Sequence, residues 1–269
     1  MPHRQIILSG VKLDAIREKE LIQLVIASIS SGDGGFIVTH NLDHLRRLQF
    51  DTTFAVACDE ATYRVADGMP LVWASRLRGT PLPERVAGSS LIHTLTAAAG
   101  AQGKSVFLIG GNPGTAVAAA ARLKSVTPSL QVVGMVCPPV GFELDPAYFT
   151  KLVDTLRLAD PDIVYLAVGS PKQELLAVVL RKELPKAWFV GVGISFSFVT
   201  GDVRRAPKWV QKSGLEWLHR LAQEPRRLAG RYLFQGLPFF FKLMSDALLD
   251  RLFKSRRNVF PRPITDGSA

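Results

Sequence analysis

Cysteine is nearly absent from this 269-residue chain, which contains only Cys58 and Cys137. Neither stands in a Cys-x-x-Cys pair or a Cys/His cluster, which excludes a disulfide framework and a thiolate zinc site. A reducing compartment fits that usage. His40, His44, His93 and His219 show no metal-ligand spacing. No Gly-x-Ser-x-Gly nucleophile elbow occurs. Long apolar runs are lacking too. The longest uncharged candidate, Ala187 to Gly201, is 15 residues and rich in glycine, whereas a spanning helix needs about 20. It reads as a buried strand and a loop. Charge at Arg4, Lys12, Asp14 and Arg17 interrupts the N-terminus early, so no secretory leader is expected. Internal repeats and low-complexity tracts are absent.

The remaining composition is that of a globular protein with a substantial core: 47% hydrophobic and 21% charged. The net charge of +10 is concentrated. Residues 201–262 hold 14 Lys/Arg against 5 Asp/Glu, and the rest of the chain is close to neutral. A basic C-terminal quarter seeks an anion: nucleic acid, a phosphorylated ligand or acidic lipid headgroups.

Taken in order, residues 18–30 read as an amphipathic helix. Phe36–Val38 is a short strand with Thr39, His40 and Asn41 at its C-terminal end, followed by a helix from Leu42. His44 is expected on that helix's solvated face. Phe54–Cys58 reads as a second strand. Tyr63–Ala66 leads to Asp67-Gly68, and Pro70 suits the first turn of a helix through Leu77. Another helix spans about 90–101, with Ser89 or Ser90 as its cap. Then strands at 105–109, 131–136, 163–168 and 188–192 alternate with helices at 115–123, 145–159 and 172–184. Residues 193–201 are expected to form a loop. This alternation predicts an α/β fold, with a mostly parallel sheet and helices on both faces. Ligands of such sheets sit at the carboxyl ends of the strands.

After Gly201 the pattern becomes helical, basic and aromatic. The expected division is a catalytic core at 1–200 and a helical appendage at 201–269. Within 237–254, Lys242, Asp246, Asp250 and Lys254 form a narrow polar stripe, and Phe and Leu occupy most of the rest. Such a helix packs on protein or lies in a bilayer interface. Lys254, Arg256 and Arg257 would favour anionic lipid there.

Several motifs carry chemistry. Gly110-Gly111-Asn112-Pro113-Gly114, at a strand-to-helix junction, suits a phosphate held by backbone N–H groups and the helix dipole; an ordinary turn explains it equally. Ser170-Pro171-Lys172-Gln173 reads as a capping box, unless Gln173 faces the ligand crevice. Asp160-Pro161-Asp162 resembles a metal-holding Asp-x-Asp, but it precedes a strand, at the wrong end of the sheet, and reads as a turn. Arg220, Arg227 and Arg231 lie one or two helical turns apart and can converge on a diphosphate, which guanidinium groups bind bidentately. Asp67, after an apolar run and before Gly68, is either a helix cap or a ligand-facing carboxylate.

Together these stretches resemble the WecG/TagA/CpsF glycosyltransferases (glycosyltransferase family 26). The resemblance is carried by Thr39-His40-Asn41, Ala66-Asp67-Gly68, Arg85-Val86-Ala87-Gly88 and Leu108-Ile109-Gly110-Gly111. It continues through Gly169-Ser170-Pro171-Lys172-Gln173-Glu174, Gly191-Val192-Gly193, Arg205-Ala206-Pro207-Lys208-Trp209, Glu216-Trp217-Leu218-His219-Arg220 and Gln223-Glu224-Pro225-Arg226-Arg227-Leu228. It covers about residues 5–235.

The resemblance implies a Rossmann-like fold completed by a C-terminal appendage. It also implies an inverting, metal-independent enzyme without a cofactor. Such an enzyme moves sugar from a UDP-sugar to a polyprenyl-diphosphate-linked acceptor, in cell-surface or exopolysaccharide synthesis. It would sit peripherally at the cytoplasmic face of the plasma membrane, on an anionic surface, with its oligomeric state, a homo-oligomer included, left open. Asp67 would be the general base. Thr39, Asn41 and Gln173 would line the substrate pocket, with Arg220, Arg227 and Arg231 near the diphosphate; Arg85, Gly110, Gly111 and Asn112 are further substrate-binding candidates. Two departures bear on which sugar or acceptor is held. Gly88-Ser89-Ser90 and Phe196-Ser197-Phe198 stand where the family often has an acidic residue. The donor stays open among an N-acetylmannosamine derivative, glucose and galactose.

Two other classes compete. A dinucleotide-dependent oxidoreductase would need a clearer ribose-binding acidic residue. A nucleic-acid-binding protein would use the basic quarter, with steep salt dependence, and would leave Asp67 unexplained; no nucleic-acid partner is expected.

Overall fold

The computed structural model describes residues 4–257. An antiparallel hairpin, β1 (Gln5–Leu8) and β2 (Val11–Asp14), opens the chain. Six further strands form one sheet: β3 (Gly35–His40), β4 (Tyr63–Ala66), β5 (Ser105–Gly110), β6 (Gln131–Val136), β7 (Ile163–Ala167) and β8 (Trp188–Gly191). Their order is β4-β3-β8-β7-β5-β6, and every pairing is parallel. The fold is α/β and Rossmann-like, as the alternation predicts.

The central strands are buried on both faces, which is why they read as unbroken apolar runs. Side chains alternate between two cores. Val106 and Leu108 of β5 join Ile163 and Tyr165 of β7 on one face. There they meet α1 (Glu18–Ser30), α5 (Gly88–Ala101) and α6 (Thr115–Val126). Phe107 and Ile109 join Val164 and Leu166 on the other. That face is covered by α3 (Thr52–Asp59), α7 (Pro146–Ala159) and α8 (Lys172–Glu183).

This layering creates the crevice. From β5 the chain crosses through α6 on the first face to β6. From β7 it crosses through α8 on the second face, in the opposite direction, to β8. The two loops therefore diverge above the β5/β7 pair, the switch point at which such sheets bind ligands. Gly110 is required there. Its φ is +103°, and a Cβ would stand 2.6 Å from the Ala167 backbone.

A third core joins the hairpin to α2 (Leu42–Arg47), α4 (Met69–Leu77) and α13 (Leu237–Arg257). Leu8, Leu13, Leu45 and Leu71 meet Phe239, Leu243 and Ala247. Arg78 Nε reaches Asp250 Oδ2 at 2.7 Å, and Lys242 Nζ reaches Asp246 Oδ2 at 2.6 Å. One face of α13 thus packs on protein, while Phe241, Leu248, Leu249, Leu252 and Phe253 are exposed. The side chains of Lys254, Arg256 and Arg257, and the rest of the tail from 258, lie outside the described residues.

Three local expectations are corrected, and one element is found where none was expected. Phe54–Cys58 is helical, not a strand: Asp51 accepts the Phe54 N–H at 3.0 Å as the cap. Phe54, Ala57 and Cys58 are buried at helical spacing while Val56 is exposed. Residues 195–200 form a short helix, α9 (Ser195–Thr200), rather than a loop. α5 starts at Gly88 and has no serine cap. Residues 5–14, read as nothing in particular, pair as the hairpin.

Candidate active site

A cavity of about 1000 Å³ opens at the carboxyl ends of the strands. Its lining includes Asp67 and all ten expected substrate-binding residues: Thr39, Asn41, Arg85, Gly110, Gly111, Asn112, Gln173, Arg220, Arg227 and Arg231. Residues from 39 to 231 therefore converge on one space.

Each is positioned by local structure. Thr39 ends β3, and Asn41 caps α2 by accepting the His44 N–H at 3.0 Å. Asp67 follows β4, and its N–H donates to the His40 carbonyl at 2.6 Å. The cap of α4 is Gly68, and no side chain caps that helix. The Asp67 side chain instead lines the cavity, where the nearby Gly88 backbone N–H favours its charged form. Of the two readings of Asp67, the cap is therefore not the one formed. Gly111 donates its N–H to the Ala167 carbonyl at 3.0 Å, which holds the Gly110–Gly114 turn at the switch point.

Gln173 does not complete a capping box. Pro171 occupies the cap position of α8 without a side-chain bond, and Ser170 Oγ makes no hydrogen bond. Gln173 Oε1 accepts the Gly193 N–H at 3.1 Å, and Nε2 donates to Glu174 Oε1 at 2.8 Å. Gln173 thus ties the start of α8 to the loop after β8, at the cavity wall.

The opposite wall comes from the C-terminal helices α11 (Glu216–Gln223) and α12 (Pro225–Ala229) and the π-helical turn Gly230–Gly236. Its arginines are held by carboxylates. Arg220 Nη2 lies 3.9 Å from Glu224 Oε1, and its guanidinium lies over the Phe198 ring. Arg227 Nε donates to Glu224 Oε2. Arg231 Nη2 is 2.9 Å from Asp43 Oδ2.

Burial inside this cavity pushes the Asp67 carboxyl up to about 6. The Arg85 and Arg205 guanidiniums and the Gly88 N–H oppose the shift, and the Glu216 carboxylate reinforces it. A carboxyl in that range is poised to exchange a proton near neutrality, as a general base must. Arg85 Nη1 contacts Glu216 Oε2 at 2.6 Å, and its Nη2 donates to Gln211 Oε1 at 3.4 Å.

Sequence reasoning assigned no site role to Glu216, Arg205, Glu224 or Asp43. Glu216 and Arg205 stood inside recognised motifs, but nothing local said that Glu216 bridges Arg85 and Arg205. His44 is a correction: it is buried rather than solvated, edge-on to Phe54 at 5.4 Å. Burial, with Arg231 and Arg47 nearby, pulls its pKa down to about 3, so it is neutral. Asp160 and Asp162 form the turn expected of them. Asp162 Oδ2 accepts from the Ser105 N–H at 2.7 Å, at the far end of the sheet.

A family model described as the Glycosyl transferase WecG/TagA/CpsF family matches residues 6–253. The chain belongs to this family. It is therefore a glycosyltransferase, and its cavity is lined by a carboxylate of raised pKa, Asp67, and by Arg220, Arg227 and Arg231. Among the described residues, no group of three or more His, Cys, Asp or Glu could hold a metal ion. Among them, too, no helix is long and apolar enough to cross a membrane.

Proposed function

We propose that this glycosyltransferase moves a sugar from a UDP-sugar to a hydroxyl of a polyprenyl-diphosphate-linked saccharide, by a single inverting displacement, in the synthesis of a cell-surface polymer. The observation that carries this reading is the placement of Asp67 and Arg220, Arg227 and Arg231 on the lining of one cavity.

Asp67 takes the proton of the acceptor hydroxyl as its oxygen bonds to the anomeric carbon. The bond from that carbon to the diphosphate oxygen breaks on the opposite face, and UDP leaves with the electron pair. Asp67 then releases the proton to solvent. General-base help of this kind is worth about 10²–10⁴-fold in rate. The departing diphosphate gathers negative charge, and guanidinium groups aimed at it stabilise the transition state more than the ground state. The arginine wall is thus suited to do what a divalent cation does elsewhere, and no metal or other cofactor is required.

Membrane association follows from the same segment. The exposed apolar face of α13 continues a basic C-terminal quarter, the combination that binds an anionic interface. The lipid-linked acceptor resides at such an interface, on the cytoplasmic side where UDP-sugars are made. Residues 201–269 act in this reading as a membrane-associating appendage to a 1–200 core.

The test is the anomeric configuration of the product, read by proton NMR after reaction with and without a chelator. Inversion at an undiminished rate in chelator supports the reading. Retention, or loss of activity restored by added divalent cation, overturns it.

A further inference from the structure

Asp67, Arg85 and Glu216 line one cavity, the Arg85 and Arg205 guanidiniums both favour the charged Asp67 carboxyl, and both guanidiniums are committed to a third partner. Arg85 Nη1 lies 2.6 Å from Glu216 Oε2. Arg205 Nε lies 3.7 Å from Glu216 Oε1. Glu216 is itself mostly buried, with 18% of its side chain exposed, so its charge is weakly screened. Arg205 is further fixed by donating to the Ser89 carbonyl and to Ser90 Oγ, each at 3.0 Å.

Consider the alternative. A carboxylate facing two uncommitted guanidiniums in a closed cavity becomes a tightly paired ion, and such a carboxylate is a weak base. Glu216 offers both arginines another partner: its one carboxylate bridges them. We propose that Glu216 is the positioning residue of the active carboxylate. It holds Arg85 and Arg205 and withholds their full charge from Asp67, so that Asp67 stays basic enough to accept a proton. The inference rests on the reading of Asp67 as the general base.

Other charged groups act less directly. Glu18 of α1 and Glu84 face the outer side of Arg85 in a separate, smaller pocket. His40, behind Asp67, is fully buried and held neutral by that burial. The balance at Asp67 is therefore set chiefly by Arg85, Arg205 and Glu216.

The consequence reaches the chain's organisation. Glu216 starts α11, 131 residues beyond Arg85. Seating of the C-terminal segment therefore tunes the base as well as supplying arginines to the leaving group.

The test uses the full-length protein without substrate. The Asp67 carboxyl is titrated by carbon-13 NMR, its signal assigned by its loss in Asp67→Asn. In Glu216→Gln the Asp67 pKa is expected to fall by about one unit, and in Arg205→Gln to rise. Glu216→Asp, which keeps the charge, should lie between wild type and Glu216→Gln. Mere loosening of the cavity would hydrate Asp67 and lower its pKa in every variant, so the opposite signs separate the two explanations. Should Glu216→Gln not fold, Arg205→Gln and Glu216→Asp still decide. A pKa unchanged within about 0.3 unit in Glu216→Gln, or a fall in Arg205→Gln, overturns the proposal. If the shifts appear as expected but Asp67→Asn turns over normally, the coupling stands and the general-base reading fails.

Discussion

Asp67 and Gly88 face one another: the Gly88 backbone N–H favours the charged form of the Asp67 carboxyl. Their approach brings the loop after β4 to the first residue of α5. A Cβ at residue 88 would stand 2.9 Å from the Gly191 carbonyl oxygen, so only glycine lets α5 begin this close to β8. Asp67→Asn keeps the size of the side chain and loses its basicity. Turnover is expected to fall by about 10²–10⁴-fold, while UDP affinity measured by calorimetry should stay within about threefold if, as proposed, the arginines hold the diphosphate. Near-normal turnover would remove Asp67 as the base.

The raised carboxyl also fixes a pH dependence. Asp67 must be ionised to accept a proton, so kcat/KM should rise through about pH 6 and level off above it. In Asp67→Asn the residual rate should lack that limb. A profile already flat from pH 5 would contradict the assignment.

Stability follows the opposite sign. The folded protein holds the Asp67 proton up to about pH 6, whereas an unfolded chain releases it near pH ~3.9. The stabilisation is thus full below the unfolded value and is lost as pH rises through the folded one. The full shift corresponds to about 3 kcal/mol. Partial exposure inside the cavity lowers the realised amount to roughly 1 kcal/mol, or about 2–4 °C in Tm. Asp67→Asn should therefore melt higher than wild type at pH 8 and no higher at pH 4. Scanning calorimetry at both values checks it.

Much of this architecture was legible beforehand. Ser105–Gly110 and Ile163–Ala167 are buried on both faces and so carry continuous apolar runs bounded by glycine and proline turns, which admit few other readings. Phe54–Cys58 misled because a short apolar run has no periodicity of its own; the decisive signal was Asp51, three residues before Phe54, acting as a cap. His44 misled because its burial comes from Phe54 and His40 in neighbouring elements. The site residues were found through motifs, but their carboxylate partners were not. That Glu216 meets Arg85, or Asp43 meets Arg231, depends on how the C-terminal segment folds back, and no local spacing encodes it.

Glu224 holds both Arg220 and Arg227, and its carboxyl sits below the usual range, chiefly because Arg227 hydrogen-bonds to it. A diphosphate entering the cavity competes with that carboxylate. Glu224→Gln should strengthen UDP binding, and Arg227→Gln should weaken it by about 10–100-fold, the worth of a charge-assisted hydrogen bond. Equal affinity in both variants would show that the diphosphate binds elsewhere.

The two faces of α13 should separate under mutation. Leu243 is fully buried against α4 and the hairpin, so Leu243→Ala should cost about 2–5 kcal/mol in denaturant unfolding. Leu249 and Phe253 are exposed. Leu249→Ser with Phe253→Ser should leave stability within about 0.5 kcal/mol while reducing sedimentation with anionic vesicles. Unchanged vesicle binding would exclude this face as the membrane contact.

Asp67 acts in the proposed reaction as the general base for transfer of a UDP-linked sugar to a lipid-linked acceptor. The direct measurement is a panel of radiolabelled UDP-sugars incubated with a short polyprenyl-diphosphate saccharide, wild-type protein beside Asp67→Asn. Label is expected in the lipid fraction from at least one UDP-sugar, with its near-complete loss in Asp67→Asn. Transfer at the wild-type rate by Asp67→Asn, or no transfer from any UDP-sugar, would contradict it.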